Sequence, residues 1–469
     1  MLKRLDKATF AERIAQGGCT PVYCEFLADR ETPVAAFSRL SGEDNAFLLE
    51  SVAGGEQRGR YSYIGLEPCG EVKGDALGEL RRRFADRRFV AAPELPSLQG
   101  GAVGYIAYDA VRLFEPRVKL APDPGTPAMH FMLCDKLLVF DNVRDTVTVI
   151  VVEQDYDRAM AEIERIYRKV LSAESIAEYA ARHLGEAERG RLGEFRSEMA
   201  SGEYEEIVRR AKREIFDGEV IQIVPSQKFT AECTLSDLQL YRALRVVNPS
   251  PYNFIMRLGG KTLIGSSPEE LVKLEKGMAA TAPIAGTRAR GKTRAEDLAL
   301  EAELKADPKE MAEHVMLVDL GRNDLGRVCA TGTVKVEDFA HVERYSHVMH
   351  LVSNVSGRLE EGRDAFDLIR AAFPAGTLSG APKVRAMELI AELEKSPRGI
   401  YGGAAGFFSY NGDMDFAIVI RTMVLEKGLL TMRAGAGIVA DSDPAKEQQE
   451  TVNKSRAIFE AARFAEGLV

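Results

Sequence analysis

Residues Asp307–Arg327 read DPKEMAEHVMLVDLGRNDLGR. The stretch predicts one amphipathic helix: Pro308 suits the first helical position, and no proline follows before the pattern ends at Gly326. Met311, Val315 and Val318 fall on one stripe, and Glu310 and Glu313, three residues apart, share another face. Two neighbouring carboxylates repel and call for a cation or for solvent, so the pair reads either as a solvated acidic face or as half of a metal site.

A second segment, Asp443–Arg456 (DPAKEQQETVNKSR), repeats the signal near the other end of the chain. Asp443 suits a helix cap and Pro444 the first turn. Glu447, Glu450 and Lys454 then share one face. Mg²⁺ prefers oxygen ligands, keeps several waters and typically takes one or two carboxylates plus an anionic substrate group. Two helices that each offer a Glu pair suffice to hold such an ion, and serve equally as two solvated faces.

The chain has 469 residues, 45% hydrophobic and 28% charged, enough for one large domain or two intermeshed ones. Its net charge of −9 argues against nonspecific nucleic-acid binding. There is no apolar h-region at the start and no apolar run of about 18 residues, so no membrane partner is expected and a cytoplasmic location is. The six cysteines are scattered, with no C-x-x-C pair, and read as reduced core residues.

From Phe47 to Val152 the pattern is mainly strand, with Leu137–Phe140 and Val147–Val152 predicted to form a hairpin. Residues from Asp155 to about Ala200 are charged and helix-prone. This divides the chain into an N-terminal part (1–175), a solvated connector (176–200) and a second part (201–469). The second part begins with a helix at Glu203–Asp217, a strand at Val220–Phe229 and a helix at Leu238–Val247. Strands follow at Tyr252–Leu258, Lys261–Gly265 and Met278–Pro283. After the central helix come an extended run at Tyr345–Val355, helices at Ala365–Phe373 and Lys383–Glu394, and three sheet-like runs. Strands joined by short turns, with helices added in blocks, predict an α+β fold.

Gly286–Thr293, GTRARGKT, formally matches the G-x-x-x-x-G-K-[ST] phosphate loop, and VMLVD ending at Asp319 resembles a strand carrying a magnesium aspartate. Taken literally this predicts a P-loop NTPase. The context speaks against it: Pro283 breaks the lead-in, and Arg288 and Arg290 sit where backbone amides must wrap phosphates.

Taken together, the motifs resemble the chorismate-utilising enzymes and, among them, the large subunits of anthranilate synthases. The matching segments run in one order from LLES (Leu48–Ser51) and GRYSYIG (Gly59–Gly65) through GGAVGYIAYD (Gly100–Asp109), IQIVPSQKF (Ile221–Phe229), NPSPYNF (Asn248–Phe254) and GSSPEELV (Gly265–Val272). They continue through PIAGTRARG (Pro283–Gly291), EHVMLVDLGRNDLGRV (Glu313–Val328), YSHVMHLVSNVSG (Tyr345–Gly357), PAGTLSGAPKVRAME (Pro374–Glu388) and YGGAAGFF (Tyr401–Phe408). AIVIRTM (Ala417–Met423) and AGAGIVADSDP (Ala434–Pro444) close the series. The resemblance implies two intermeshed halves on antiparallel sheets packed as a layered sandwich with surrounding helices. The active site is then expected in a cleft and the inhibitor side on the N-terminal part.

The resemblance also implies a site. Mg²⁺ would bridge Glu313 and Glu450 to the ring carboxylate of chorismate, with Glu310 and Glu447 around its waters. Arg421, with Tyr401 beside it, suits the enolpyruvyl carboxylate. Gly286 and Thr287, and Gly435, Ala436 and Gly437, are expected to bring backbone amides to anionic groups, with Lys454 nearby. His350 is assigned to loss of the C4 hydroxyl, ahead of His341 and His347, and Thr377 to a hydroxyl contact with substrate.

Two positions discriminate among relatives. Isochorismate and salicylate synthases place a lysine base where this chain has Gln222, and aminodeoxychorismate synthases carry lysine in PIKGT where this chain has Ala285. Gln222 and Ala285 favour attack by ammonia and formation of anthranilate, with aminodeoxychorismate synthase as the alternative. The ammonia would come from a separate glutamine amidotransferase subunit, because the chain shows no G-x-C-x-G nucleophile. Tryptophan is expected as a feedback inhibitor held by Glu50, Ser51, Pro251, Tyr252 and Asn253.

Overall fold

The computed structural model describes residues 1–40, 42, 45–51, 59–171, 190–344 and 348–468. Most strands fall into two antiparallel sheets, one of twelve strands and one of ten. The expected hairpin is present as Lys136–Asp141 paired with Thr146–Glu153. Both faces of such strands are covered, which is why TVTVIVVE is a nearly continuous apolar run: Val149 and Ile150 are both 0% exposed.

The two halves of the chain do not own separate sheets. In the twelve-stranded sheet, Ala46–Glu50 pairs with Tyr252–Leu258, placing Glu50 opposite Asn253. In the ten-stranded sheet, Gly101–Ile106 pairs with Ala404–Ser409. Tyr105, Met132 and Phe407 of the ten-stranded sheet share a core with Phe47, Ile64, Phe254 and Met423 of the other. Phe131, Phe408 and Phe416 pack with Phe366 and Ile369 of the helix Ala365–Ala372 in a second core. The result is the layered α+β sandwich expected from the sequence.

The central helix runs Pro308–Gly326, with the Asp307 side chain accepting from the amides of Lys309 and Glu310. Its inward face differs from the predicted stripe. His314, Leu317, Val318, Gly321 and Leu325 are buried, while Val315 is 48% exposed. His314 Nε2 lies 2.6 Å from Ser353 Oγ, and a Cβ on Gly321 would stand 3.1 Å from Thr281 Cγ2, so a polar anchor and a close approach set the rotation. The C-terminal helix runs Pro444–Ala465, capped by Asp443.

Two further expectations are revised. The strand expected over Val220–Phe229 is two pieces, Gln222–Ile223 and Ser226–Glu232, separated at Pro225, which lacks an N–H. Of the expected connector 176–200, residues 176–189 lie outside the described residues, and Arg196–Ser197 forms an edge strand against Ser226–Glu232. The phosphate-loop reading fails. Ile284–Ala289 is a strand paired with Val348–Arg358, and the amides of Gly291 and Lys292 donate to Asp297 Oδ1 and Glu296 Oε2, each at 2.7 Å. Asp319 lies on the exposed side of the central helix, paired with Arg322. No described helix is long and apolar enough to cross a membrane.

Candidate active site

The site is assembled where the strands Ile284–Ala289 and Val348–Arg358 meet the N-terminal turn of the central helix. The register shifts between Ala285 and Thr287, and Gly286 takes φ +60° in the bulge. A Cβ there would stand 2.9 Å from Leu304 Cδ1 and 3.1 Å from Glu310 Oε2, so a glycine is required. Thr287 faces His350 across the pairing, and its Oγ1 lies 3.0 Å from His350 Nδ1.

Nδ1 of His350 also lies 3.1 Å from the carbonyl oxygen of Gly286. A carbonyl only accepts, so Nδ1 carries the proton and Nε2 of the neutral ring carries a lone pair. Burial holds the imidazole below its ordinary range, and Arg421 adds to that, so the neutral form prevails.

A second titratable side chain, one the sequence reading passed over, lies near Arg421. Glu269, in SSPEE between two strands, accepts from Thr377 Oγ1 at 2.8 Å. Burial pushes its carboxyl up to about 7, against the Thr377 hydrogen bond and the charges of Arg421 and Lys454. Two adjacent glutamates after a proline read as a polar strand start, and only the tertiary arrangement shows one of them turned into the cleft.

Arg421 holds φ +48°, unusual for a side-chain-bearing residue, just before the strand Thr422–Glu426. Its carbonyl accepts from the Ser266 amide at 3.2 Å. Burial works against its charge, with Glu269 the supporting anion, and its guanidinium has no hydrogen-bonded partner among the described residues. Such a cation is placed to receive an anion. Tyr401 stands over Arg398, 5.8 Å from ring to guanidinium, and Arg398 is locked to Glu394 at 2.6 Å beneath the site. Burial raises the Tyr401 hydroxyl to about 12, so it stays protonated, with the Gly435 amide as a hydrogen-bond neighbour.

Gln222 pairs with Ala381, and its Nε2 would meet a Cβ on Gly437 at 2.8 Å. Ala436 is fully buried, and its N–H donates to Tyr204 Oη at 3.2 Å and the Pro225 carbonyl at 3.3 Å. Its amide is therefore committed inward and is not available to a ligand. Lys454 Nζ donates to the Gly435 carbonyl at 3.2 Å and pairs with Glu450 at 2.7 Å.

The glutamates of the two helices act on Glu313 and Glu447. Glu313 is held above the ordinary carboxylate range by burial, then by Glu310, with Glu450 adding and Lys454 and Lys309 opposing. Glu447 is raised by burial and by Glu450. Glu310 is partly neutralised by Arg288 at 3.0 Å. Among the described residues no three His, Cys, Asp or Glu side chains converge to hold an ion by themselves. This donor set suits a hard cation that takes one or two carboxylates and fills its remaining positions with water and substrate.

His341 lies off this constellation, bonded to Asp338 and Glu343, and His347 is outside the described residues. At the seam of the twelve-stranded sheet, Glu50 is buried and accepts from Tyr241 and from Arg245 Nε at 3.1 Å. Ser51 follows it, and Pro251, Tyr252 and Asn253 come alongside. Asn253 donates to the Ser250 carbonyl at 2.6 Å, while its buried Oδ1 has no partner among the described residues. Tyr252 Oη donates to Glu270 at 3.0 Å, beside Glu269.

A fold of two interleaved antiparallel sheets, with a cleft that pairs a waiting guanidinium with a clustered set of carboxylates, defines an enzyme for small anionic substrates. A model of chorismate binding enzymes matches residues 44–460, and the chain belongs to that family. It is 49% identical to anthranilate synthase component 1 of Streptomyces coelicolor, over 98% of this chain and 92% of that protein. It is 45% identical to the protein of the same name from Pseudomonas aeruginosa, over 95% and 96%. Among solved structures, anthranilate synthase component I from Streptococcus pneumoniae superposes with a TM-score of 0.76 at 36% identity, covering 92% of this chain and 98% of that one. The menaquinone-specific isochorismate synthase of Escherichia coli shares the fold, with a TM-score of 0.74 at 20% identity and 95% of each chain covered.

Proposed function

We propose that the chain is the chorismate-aminating large subunit of an anthranilate synthase, converting chorismate and ammonia to anthranilate and pyruvate. The near full-length identity to proteins of that name carries this reading. The neutral side chains of Gln222 and Ala285, where relatives with other products place lysine, agree with it. Ammonia already has its nucleophilic lone pair, so no base at Gln222 is required for attack at C2.

Arg421 takes one carboxylate of the substrate through its planar fork, with the Tyr401 hydroxyl beside it. Gly435 and Gly437 leave room for the ligand next to Gln222. Glu269, protonated near neutral pH, gives its proton to the C4 hydroxyl as that group departs, and Thr377 fixes the carboxyl. His350, with Nε2 as acceptor, is the candidate to remove the C2 proton when pyruvate is eliminated. Glu313 and Glu450, with Glu310 and Glu447 outside them, would hold Mg²⁺, which when bound neutralises and orients the ring carboxylate.

The ammonia is supplied by a glutamine amidotransferase subunit on a separate polypeptide. Tryptophan inhibits from the seam between the halves, where Glu50, Ser51, Pro251, Tyr252 and Asn253 meet and the unpartnered Asn253 Oδ1 awaits a donor. All six cysteines are free thiols, which suits a cytoplasmic enzyme. The test is anthranilate fluorescence from the purified chain with chorismate, Mg²⁺ and excess ammonium, with and without tryptophan. Chorismate consumption without anthranilate would instead point to aminodeoxychorismate formation and sink the Gln222 and Ala285 reasoning.

A further inference from the structure

Behind Glu269 and Thr377 lies a cavity of about 50 Å³, walled further by Leu320, Gly321, Asp324 and Gly376. A water needs roughly 10–15 Å³ and two to four polar partners, so the space accommodates a few waters. Its polar stations are the side chains of Glu269, Glu270, Thr281, Thr377 and Asp324, whose carboxylate pairs with Lys383 at 2.8 Å. The rest of the wall is mostly apolar. Little spare room is left around it: a Cβ on Gly376 would stand 2.7 Å from Leu320 Cδ1, and one on Gly321 would stand 3.4 Å from Pro283 Cγ.

We propose that this cavity receives the water formed from the C4 hydroxyl and keeps it away from the reacting ring. The inference rests on the amination reading above. In that step the ammonia nitrogen bonds to C2, the ring double bond shifts, and the C4–O bond breaks with its electron pair on oxygen. The oxygen takes the Glu269 proton and departs as water, and a proton shed by the new ammonium group restores the carboxyl. Chorismate and ammonia thus give the aminated intermediate and one water. Water left beside the ring is both the nucleophile of the reverse step and a rival of ammonia. A space of water size that opens at the proton donor removes it without crossing the substrate.

The test fills the cavity with Ala372→Leu and Leu317→Phe, at side chains that are not themselves catalytic or binding groups, and keeps Ala372→Ser as the variant that leaves it open. Each is assayed with chorismate plus ammonium and, separately, with the aminated intermediate supplied directly, whose breakdown releases pyruvate but no water. The filled variants should lose about tenfold or more in rate with chorismate while processing the intermediate at the unsubstituted rate, and Ala372→Ser should keep both rates. Equal losses on both substrates, or no loss on chorismate in either filled variant, would overturn the proposal. Failure of the unsubstituted chain to make anthranilate from either substrate would instead remove the amination reading itself.

Discussion

Replacing Glu269 with Gln should make the protein more stable and nearly inactive at the same time. The carboxyl sits at about 7 in the fold against an ordinary 4.5. A carboxyl raised by folding contributes stability that is fully present below its unfolded value and is lost as pH climbs through its folded one. At about 1.36 kcal/mol per pH unit, the ionised form gives up as much as about 3 kcal/mol above neutrality. Gln keeps an oxygen for the Thr377 hydroxyl and never ionises, so it escapes that loss. Thermal unfolding of E269Q and the unsubstituted chain should therefore lie closest near pH 4 and separate by a few degrees near pH 8.5, with the variant higher. At a fixed concentration of free ammonia, the unsubstituted rate should fall as pH rises through about 7, and E269Q should lose roughly 10²–10⁴-fold, the usual contribution of a positioned acid. Identical melting at both pH values, or a variant that retains most of its amination rate, would refute the assignment of Glu269 as a buried proton donor.

Other outcomes follow from the same geometry. Arg421→Lys replaces a two-pronged donor by a point charge and should raise the KM for chorismate by about tenfold or more, read from initial rates of anthranilate fluorescence. Chelation with EDTA should abolish turnover and added Mg²⁺ should restore it; activity that survives exhaustive chelation would remove the metal from the reading. Asn253→Ala deletes the unpartnered Oδ1 and should raise the tryptophan concentration for half-inhibition by about tenfold, the equivalent of one buried hydrogen bond, measured by titration at constant chorismate.

Much of this was written locally in the chain. Asp307, Pro308 and Gly326 delimit the central helix by capping chemistry alone, and Tyr252–Leu258 appears as a strand over the bounds its alternation predicts. What local pattern could not supply was contact between distant segments. The rotation of the central helix depends on a histidine reaching Ser353, which placed Val315 outside a stripe drawn on hydrophobicity alone. The strand Ile284–Ala289 and the helix Arg294–Ala306 were hidden because they carry Arg288 and Asp297 and flank Arg290, whose charges are matched only after folding. Glu269 escaped notice for the related reason that its protonation is a property of the cleft and not of SPEE. Ala436 shows the converse: a place in a glycine-rich segment suggested an available amide that Tyr204 already occupies.

The seams at Glu50 with Asn253 and at Ile106 with Ala404 bear on how the chain is made as well as how it works. During synthesis the strands up to Glu153 emerge first, yet Ala46–Glu50 and Gly101–Ile106 each lack the neighbour that closes them. Their partners Tyr252–Leu258 and Ala404–Ser409 leave the ribosome roughly 100 and roughly 250 residues later, which at about 5–20 residues per second is about 5 s to nearly a minute. For those intervals the nascent chain carries open sheet edges able to pair with another copy. Yield of soluble protein should therefore depend on translation speed and on chaperones that cover strands, more than the stability of the finished fold would suggest.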